Sequence, residues 1–168
     1  MIESKPIVLK NKIFYDNRGY FREYFRKNIY SKKINASYLQ DSFSISKKNV
    51  LRGLHYRTNQ QFQLITLVRG KIFDVVVNIN KKSPNYGKVF EYYLDENKYN
   101  QIILPKYYAH GFCVISEEAI INYKTDKYYN PKFEKGIIWN DKKLNINWPI
   151  SRPKISKRDR LFGKFNDI

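Results

Sequence analysis

The sequence predicts an all-β fold in which antiparallel strands form a sandwich or barrel. Short runs rich in β-branched and aromatic residues recur along the chain, and turn residues separate them. Helix signals are weak, the best being a turn or two over residues 28–33. No Gly/Ser/Pro-rich stretch divides the 168 residues. We therefore expect one domain over residues 1–168, with only minor short helices.

The predicted strands follow one another in short steps along the chain. They span residues 20–25, 41–46, 51–57, 62–68, 71–79, 89–94, 101–104, 112–115 and 119–124. Arg69 and Gly70 separate two of these runs closely enough to form a hairpin turn, and residues 83–87 make a longer loop. Such spacing is typical of an antiparallel architecture.

The run over residues 71–79 predicts which way its strand faces. Phe73, Val75, Val77 and Ile79 share one wholly apolar face, whereas the other face mixes apolar residues with Asp74 and Asn78. A strand of this kind fits a sheet that packs on one side and lines a cavity on the other.

The last third of the chain is rich in proline, tryptophan and tyrosine. The stretches over residues 128–131, 138–141 and 147–150 read as loops or edge segments. We expect them to pack over the barrel, where they are able to cover a site.

Composition limits the kinds of partner. A net charge of +17 favours an anionic ligand, but the lysines are scattered over the whole chain rather than gathered into a stripe. We expect a small phosphorylated substrate rather than nucleic acid.

No apolar run approaches the roughly 20 residues that span a bilayer, and the N-terminus lacks the apolar core of a signal peptide. We expect a soluble, cytoplasmic protein without a membrane partner.

Several kinds of chemistry find no support in the sequence. The histidines are His55 and His110, and neither has a second histidine or a cysteine at ligand spacing. The single cysteine, Cys113, lies in an apolar run and is expected to be a buried structural thiol. Motifs of P-loop enzymes, dinucleotide oxidoreductases and serine hydrolases are missing. We expect no catalytic metal and no cofactor.

What remains is a site of His, Tyr, Asp and Arg side chains, which suits proton transfer next to a carbonyl. His55 is the candidate base, and Tyr123 is a candidate acid. Residues 50–56 alone do not establish this role, because a single histidine beside leucine and tyrosine is more often a core side chain than a catalytic one. Position alone does not select one tyrosine among 15.

An ordered series of motifs resembles the dTDP-4-dehydrorhamnose 3,5-epimerase family over nearly the whole chain. The motifs lie at residues 16–23, 40–44, 50–56, 70–75, 83–87, 103–105, 109–112, 123–124 and 156–159. The resemblance implies a metal-free, cupin-type jelly roll that is usually a homodimer. It also implies a nucleotide-diphosphate-linked 4-keto-6-deoxy sugar as substrate, within deoxysugar biosynthesis for surface polysaccharide.

The resemblance also implies residue roles. His55 matches the base that removes the proton beside the keto group, Asp159 its dyad partner and Tyr123 the acid on the other face. Arg52 is expected to face a phosphate or the developing oxyanion. The remaining matches are substrate-binding positions, partly contributed across the dimer interface: Arg18, Phe21, Glu23, Gln40 and Ser42, with His110 as a second site histidine.

The spacing of Arg52 and His55 carries a geometric condition. Residues three apart in a regular strand point to opposite faces, so both side chains share a cavity only if the strand is kinked or bulged. Gly53 stands where such a break is expected.

Two positions depart from the family pattern. Gln63 stands where most members have a lysine thought to steady the enolate, and Ser42 replaces a usual asparagine near the nucleotide. A neutral amide donates a hydrogen bond but supplies no charge. The nucleotide (dTDP, GDP or CDP), a hexose or heptose substrate, and epimerisation at one carbon or two therefore stay open.

Two further alternatives remain at this point. A sugar 3,4-ketoisomerase on the same fold is disfavoured, because such enzymes typically carry a His-x-His pair and Tyr56-Arg57 follows His55 here. A non-catalytic basic binding module would show salt-dependent binding to nucleic acid without sugar turnover.

Overall fold

The computed structural model describes residues 5–30, 33 and 36–168, and β-strands dominate this part of the chain. The strands are β1 (Ile7–Leu9), β2 (Ile13–Asp16), β3 (Gly19–Arg22), β4 (Gln40–Lys47), β5 (Leu51–Arg57), β6 (Gln63–Arg69), β7 (Lys71–Asn78), β8 (Val89–Asp95), β9 (Gln101–Leu104), β10 (Tyr108–Val114), β11 (Glu118–Thr125) and β12 (Glu134–Gly136). The helices are short: α1 (Lys27–Tyr30), α2 (Lys157–Arg160), and 3-10 turns at Pro131–Phe133 and Phe165–Asp167.

Two five-stranded sheets face each other, and all of their strand pairs are antiparallel. The first sheet has the order β1-β9-β6-β11-β4 and the second the order β12-β5-β10-β7-β8, while β2 and β3 form a separate hairpin. The predicted all-β antiparallel sandwich is confirmed. The predicted helix over residues 28–33 corresponds to α1, and part of that range lies outside the described residues.

The main core fills the space between the sheets. Ile65 and Ile121 from the first sheet meet Val76 and Phe112 from the second, and all four side chains are almost fully buried. Burying such side chains contributes about 1.5–3 kcal/mol each, which offsets the entropy lost when the sheets come together.

A second core lies on the outer side of the second sheet. Phe73, Val75 and Val77 of β7 pack there against Trp148 and Phe165 from the C-terminal segment. The apolar face of β7 packs as the alternation in the sequence predicted, and the C-terminal third packs over the barrel as expected. The mixed face, which was predicted to line a cavity, instead places Ile72 and Val76 in the main core. None of the helices in the described part of the chain is long and apolar enough to cross a bilayer.

The cysteine prediction is also confirmed. Cys113 is a free, fully buried thiol in this second core. Burial raises its pKa to about 12, so the thiol stays protonated and unreactive at neutral pH.

Candidate active site

A cavity of about 290 Å³ lies between the two sheets, at the end of the sandwich where β4 and β5 face each other. Most of the residues predicted from the sequence line it. They are His55, Tyr123, Arg52, Gln40, Ser42, Gln63 and His110.

His55 and Asp159 form a hydrogen-bonded pair on one wall of the cavity. The Nε2 atom of His55, on β5, lies 3.0 Å from Oδ1 of Asp159, on α2. The other carboxylate oxygen accepts the backbone N–H of Gly53 at 3.1 Å. Ser156 caps α2 by accepting the backbone N–H of Asp159 at 3.0 Å, which holds the carboxylate in place.

The charge of Asp159 follows from these contacts. Burial acts to raise its pKa, but the hydrogen bond and charge of His55, together with the Gly53 and Ser156 bonds, lower the pKa to about 2. Asp159 is thus ionised at neutral pH and accepts a hydrogen bond from Nε2 of His55. Because Nε2 donates, the lone pair of the neutral imidazole lies on Nδ1, where it is free to accept a proton.

Phe162 packs against the His55 imidazole on the side away from the cavity. Its ring meets the His55 imidazole edge to face, with centroids 5.6 Å apart. A side chain added at Gly136, the residue opposite His55 on β12, would overlap this ring at 2.3 Å. The His55 imidazole is therefore held between a carboxylate and an apolar ring, with its remaining side toward the cavity.

Tyr123 lies on the opposite wall, because it belongs to β11 of the first sheet. Its hydroxyl is 3.0 Å from Oγ of Ser44 on β4. Burial raises the pKa of Tyr123 to about 12, although the Ser44 bond and the positive charge of Arg52 act to lower it. The phenol is therefore protonated and able to donate a proton.

The strand break needed to bring Arg52 and His55 together is present. The register of β5 against β10 shifts between the pairs His55–His110 and Arg52–Phe112. Gly53, inside this bulge, has φ +128°, and an added Cβ would lie 2.5 Å from the Cα of Gly111. Only glycine fits, and both Arg52 and His55 line the cavity as predicted.

Arg52 is fixed by polar contacts to β4 of the facing sheet. Its Nε donates to Oγ of Ser46 at 2.9 Å, and one terminal nitrogen donates to the Ile45 carbonyl at 3.4 Å. Five N–H donors are available on a guanidinium, so donors remain for a ligand oxygen. Arg52 and Arg57 are the arginine or lysine side chains that line the cavity in the described part of the chain.

His110 forms a second histidine–carboxylate pair deeper in the cavity wall. Its Nε2 lies 2.7 Å from Oδ2 of Asp74, and both side chains are buried. Asp74 is one of the two polar residues on the mixed face of β7, and it reaches the cavity wall through His110.

Gln40, Ser42 and Gln63 line the cavity without adding charge. Nε2 of Gln40 donates to Oγ of Ser42 at 3.2 Å, and its Oε1 accepts the backbone N–H of Tyr129 at 2.6 Å. Gln63 pairs with Thr125 in the register of β6 and β11. The position of the usual lysine is thus a neutral part of the wall.

Arg18, Phe21 and Glu23 are not brought to this cavity by their own chain. Arg18 is 85% exposed at the hairpin and pairs with Asp16, while Phe21 is 67% exposed. Glu23 follows the hairpin and forms an ion pair with Arg26. The prediction that these side chains bind the nucleotide across a dimer interface stays a prediction.

Sequence reasoning missed several residues of the site. Ser44 stands two residues after Ser42, and this alternation on β4 is a signal that places both on the cavity face. Tyr129 lies in the stretch 128–131 that the sequence predicted to pack over the barrel, although no pattern singles out this tyrosine. No local pattern identifies Glu134, which lies at the start of the three-residue strand β12. Among the described residues, no three His, Cys, Asp or Glu side chains lie close enough together to hold a metal ion.

Comparison with known proteins agrees with this arrangement. The family model described as dTDP-4-dehydrorhamnose 3,5-epimerase matches residues 4–167. The chain belongs to this family. It is 40% identical over 165 residues to the dTDP-4-dehydrorhamnose 3,5-epimerase of Shigella flexneri, covering 96% of this chain and 91% of that protein.

Two further relatives of this epimerase family are informative. The crystal structure of dTDP-6-deoxy-D-glucose-3,5-epimerase from Legionella pneumophila, in complex with dTDP-4-keto-L-rhamnose, superposes with a TM-score of 0.92. It is 37% identical and the match covers 96% of this chain and 88% of that one. The dTDP-4-dehydrorhamnose 3-epimerase of Streptomyces niveus is 34% identical over 149 residues, covering 86% of this chain and 72% of that protein. The predicted cupin-type fold and isomerase class are confirmed.

Proposed function

We propose that this epimerase inverts C3 and C5 of a dTDP-linked 4-keto-6-deoxyhexose through enolate intermediates, without a metal or cofactor. The observation that carries the proposal is the placement of two proton-transfer groups on facing walls of one cavity. The His55–Asp159 pair lies on the second sheet, and Tyr123 lies on the first. Removal of a proton from one side and its return from the other inverts a carbon centre.

The first step is removal of the proton from the carbon beside the C4 ketone. Nδ1 of His55 takes this proton, the C–H electron pair forms the enolate double bond, and the carbonyl electrons move onto oxygen. Asp159 stabilises the imidazolium that results, because its carboxylate is ionised and 3.0 Å away. The same pair fixes the tautomer that exposes Nδ1 before the reaction.

The enolate oxygen needs positive charge or hydrogen-bond donors. Arg52 has donors left after its bonds to Ser46 and Ile45, and it lies near enough to Tyr123 to affect the pKa of that phenol. Gln63 offers only an amide donor. Arg52 therefore provides the main charge stabilisation of the enolate.

Tyr123 completes the inversion by donating its phenolic proton to the carbon from the opposite face. The bond to Ser44 orients the hydroxyl. The phenolate that forms regains a proton from solvent, and the imidazolium of His55 returns its proton in the same way. A second cycle at the other carbon next to the ketone inverts the second centre.

A second candidate is epimerisation at C3 alone. Two observations favour it: Gln63 lacks the charge that most family members place there, and one relative of this chain is named a 3-epimerase. The substrate would be a dTDP-, GDP- or CDP-linked 4-keto hexose or heptose. NMR of the product distinguishes the two reactions, because inversion at C3 alone changes the proton couplings at C3 and leaves the configuration at C5 as it was.

We further propose that the enzyme is a cytoplasmic homodimer with neither nucleic acid nor membrane as partner. The hairpin of β2 and β3 supports the dimer. Its cross-strand pairs Phe14–Phe21 and Tyr15–Tyr20 are all at least 49% exposed, which is unusual for aromatic side chains on a two-stranded hairpin. A second copy would cover these rings, and Arg18, Phe21 and Glu23 of one protomer would then lie near the cavity of the other.

The proposed function is tested with purified 4-keto-6-deoxyhexoses linked to dTDP, GDP and CDP. Product NMR is expected to show inversion at C3 and C5 of the dTDP sugar, with weaker turnover of the other two. Absence of turnover with all three nucleotides would reject the epimerase assignment. Sedimentation analysis is expected to give roughly twice the 20.3 kDa chain mass, and a monomer would reject the dimer.

A further inference from the structure

An ion pair connects the cavity wall to the carboxylate that holds His55. Arg158 precedes Asp159 on α2, and its guanidinium contacts both carboxylate oxygens of Glu134, at 3.0 and 3.3 Å. Glu134 lines the cavity and begins β12, the edge strand beside β5. It also accepts the hydroxyl of Tyr129 at 2.9 Å.

The same guanidinium lies next to the catalytic pair. Nε of Arg158 is 3.6 Å from Oδ1 of Asp159, which is the oxygen that binds His55. The guanidinium also lies over the ring of Phe162, 5.8 Å from its centroid, and this ring packs edge to face on His55. Arg158 therefore touches both neighbours of the base without lining the cavity itself.

We propose that Arg158, held by Glu134, is a positioning residue that limits how strongly Asp159 stabilises the protonated form of His55. This inference rests on the proposed role of His55 as the base. A carboxylate shared between an arginine and an imidazole gives less electrostatic stabilisation to the imidazolium than a carboxylate bound to the imidazole alone. Loss of the arginine is therefore expected to strengthen the hold of Asp159 on the protonated imidazole, which cannot act as a base.

The charges around His55 allow the size of the effect to be stated. The groups that face it from the packed elements are Asp159 and Arg158 of α2, Glu134 of β12, Arg52 and Arg57 of β5, His110 of β10 with Asp74, and Tyr123 across the cavity. Arg158 lies at most about 7 Å from the imidazole, with 54% of its side chain exposed. In a solvent-screened setting a unit charge at this distance shifts a titration by about half a unit.

The test uses NMR to measure the titration of the His55 imidazole in the 168-residue protein without substrate. His55 and His110 are the two histidines of the chain, so a His55→Asn protein assigns the signals. In Arg158→Gln the His55 midpoint is expected to rise by about half a pH unit. Arg158→Lys is expected to restore part of the wild-type value. Arg160→Gln, an exposed position on the same helix, is the matched control and is expected to leave the midpoint unchanged.

Substitutions of the two members of the ion pair are expected to shift the titration midpoint of His55 in opposite directions. Glu134→Gln leaves Arg158 without its anion and is expected to lower the His55 midpoint. The double variant of Glu134 and Arg158 to glutamine removes both charges and is expected to fall between the single variants. An unchanged His55 midpoint in folded Arg158→Gln would overturn the proposal, as would an equal shift in Arg160→Gln.

Kinetics provide the second readout. In Arg158→Gln the acidic limb of the kcat/KM profile is expected to move with the NMR midpoint, which lowers the rate about threefold at a fixed pH below the midpoint. A loss of rate that is equal at all pH values would indicate a merely structural role and reject the inference. A protein that shows the NMR shifts but turns over no sugar would support the Arg158 assignment and reject the proposed function.

Discussion

Replacing Asp159 with asparagine removes the negative charge of the His55–Asp159 pair and keeps the shape of the side chain. The structure gives neither orientation of the new amide a full set of bonds. If its oxygen faces His55, its NH₂ group meets the backbone N–H of Gly53, which is also a donor. If its NH₂ group faces His55, Nε2 must accept a hydrogen bond, and the proton moves to Nδ1, where the free lone pair is needed.

The effect on the reaction is therefore expected to be large. Loss of the correctly protonated base lowers kcat by about 10²–10⁴-fold, with a smaller effect on KM. Product NMR measures this loss directly. A variant that retains more than about a tenth of the wild-type kcat would refute the assignment of Asp159 as the partner of the base.

The effect on stability follows from the pKa of Asp159. This pKa is lowered in the folded protein from 3.8 to about 2, so the ionised carboxylate stabilises the fold by on the order of 2 kcal/mol above pH 4. The contribution is lost as pH falls through 2. Because asparagine does not titrate, the free energy of unfolding of the variant lacks this pH dependence.

Urea unfolding, followed by the fluorescence of the two tryptophans, measures this difference. Wild type is expected to lose about 1 kcal/mol more than Asp159→Asn between pH 6 and pH 3. A difference between the two proteins that stays constant over this range would show that the carboxylate gains nothing from its contacts in the folded state.

Three further substitutions test individual roles. Tyr123→Phe is expected to lower kcat at least 10²-fold, while nucleotide binding measured by calorimetry stays within about twofold. In wild type, ionisation of Tyr123 is not expected to lower the rate at pH 9–10, because the pKa of this phenol is raised to about 12. An unchanged kcat in Tyr123→Phe would assign the acid elsewhere. Gln63→Lys adds a charge to the cavity wall and is expected to raise kcat several-fold, whereas a fall in kcat would place the enolate away from β6. Arg52→Gln is expected to reduce kcat/KM about 10²-fold in steady-state assays, and equal activity would show that Arg52 does not stabilise the enolate.

The strands with strong patterns were predictable from the sequence. β5 and β9 begin and end where the residue pattern placed them, because they combine apolar, β-branched and aromatic residues with clear turn residues at their ends. In contrast, β1, β2 and β12 have only three or four residues and show no periodicity. β10 begins four residues before the predicted start, since pairing with β5 and β7 extends a segment of low strand propensity around Gly111.

The site was predictable only in part. His55 and Asp159 are 104 residues apart, so no local pattern joins them, and the motif series made the connection. Ser44 follows from alternation along β4, but the Glu134–Arg158 pair depends on where β12 and α2 lie against β5. Arg18, Phe21 and Glu23 do not line the cavity of their own chain, and the hairpin that carries Arg18 and Phe21 forms a separate two-stranded sheet.

Solvent deuterium uptake tests the central claim most directly, because the proposed mechanism removes one proton with His55 and returns a different one from Tyr123. The dTDP-linked 4-keto-6-deoxyhexose is incubated with wild type and with His55→Asn in D₂O, and C3 and C5 are followed by NMR. Wild type is expected to replace hydrogen by deuterium at each carbon it inverts, and His55→Asn is expected to give no uptake above the rate without enzyme. Uptake by His55→Asn at the wild-type rate, or inversion by wild type without deuterium, would contradict the mechanism.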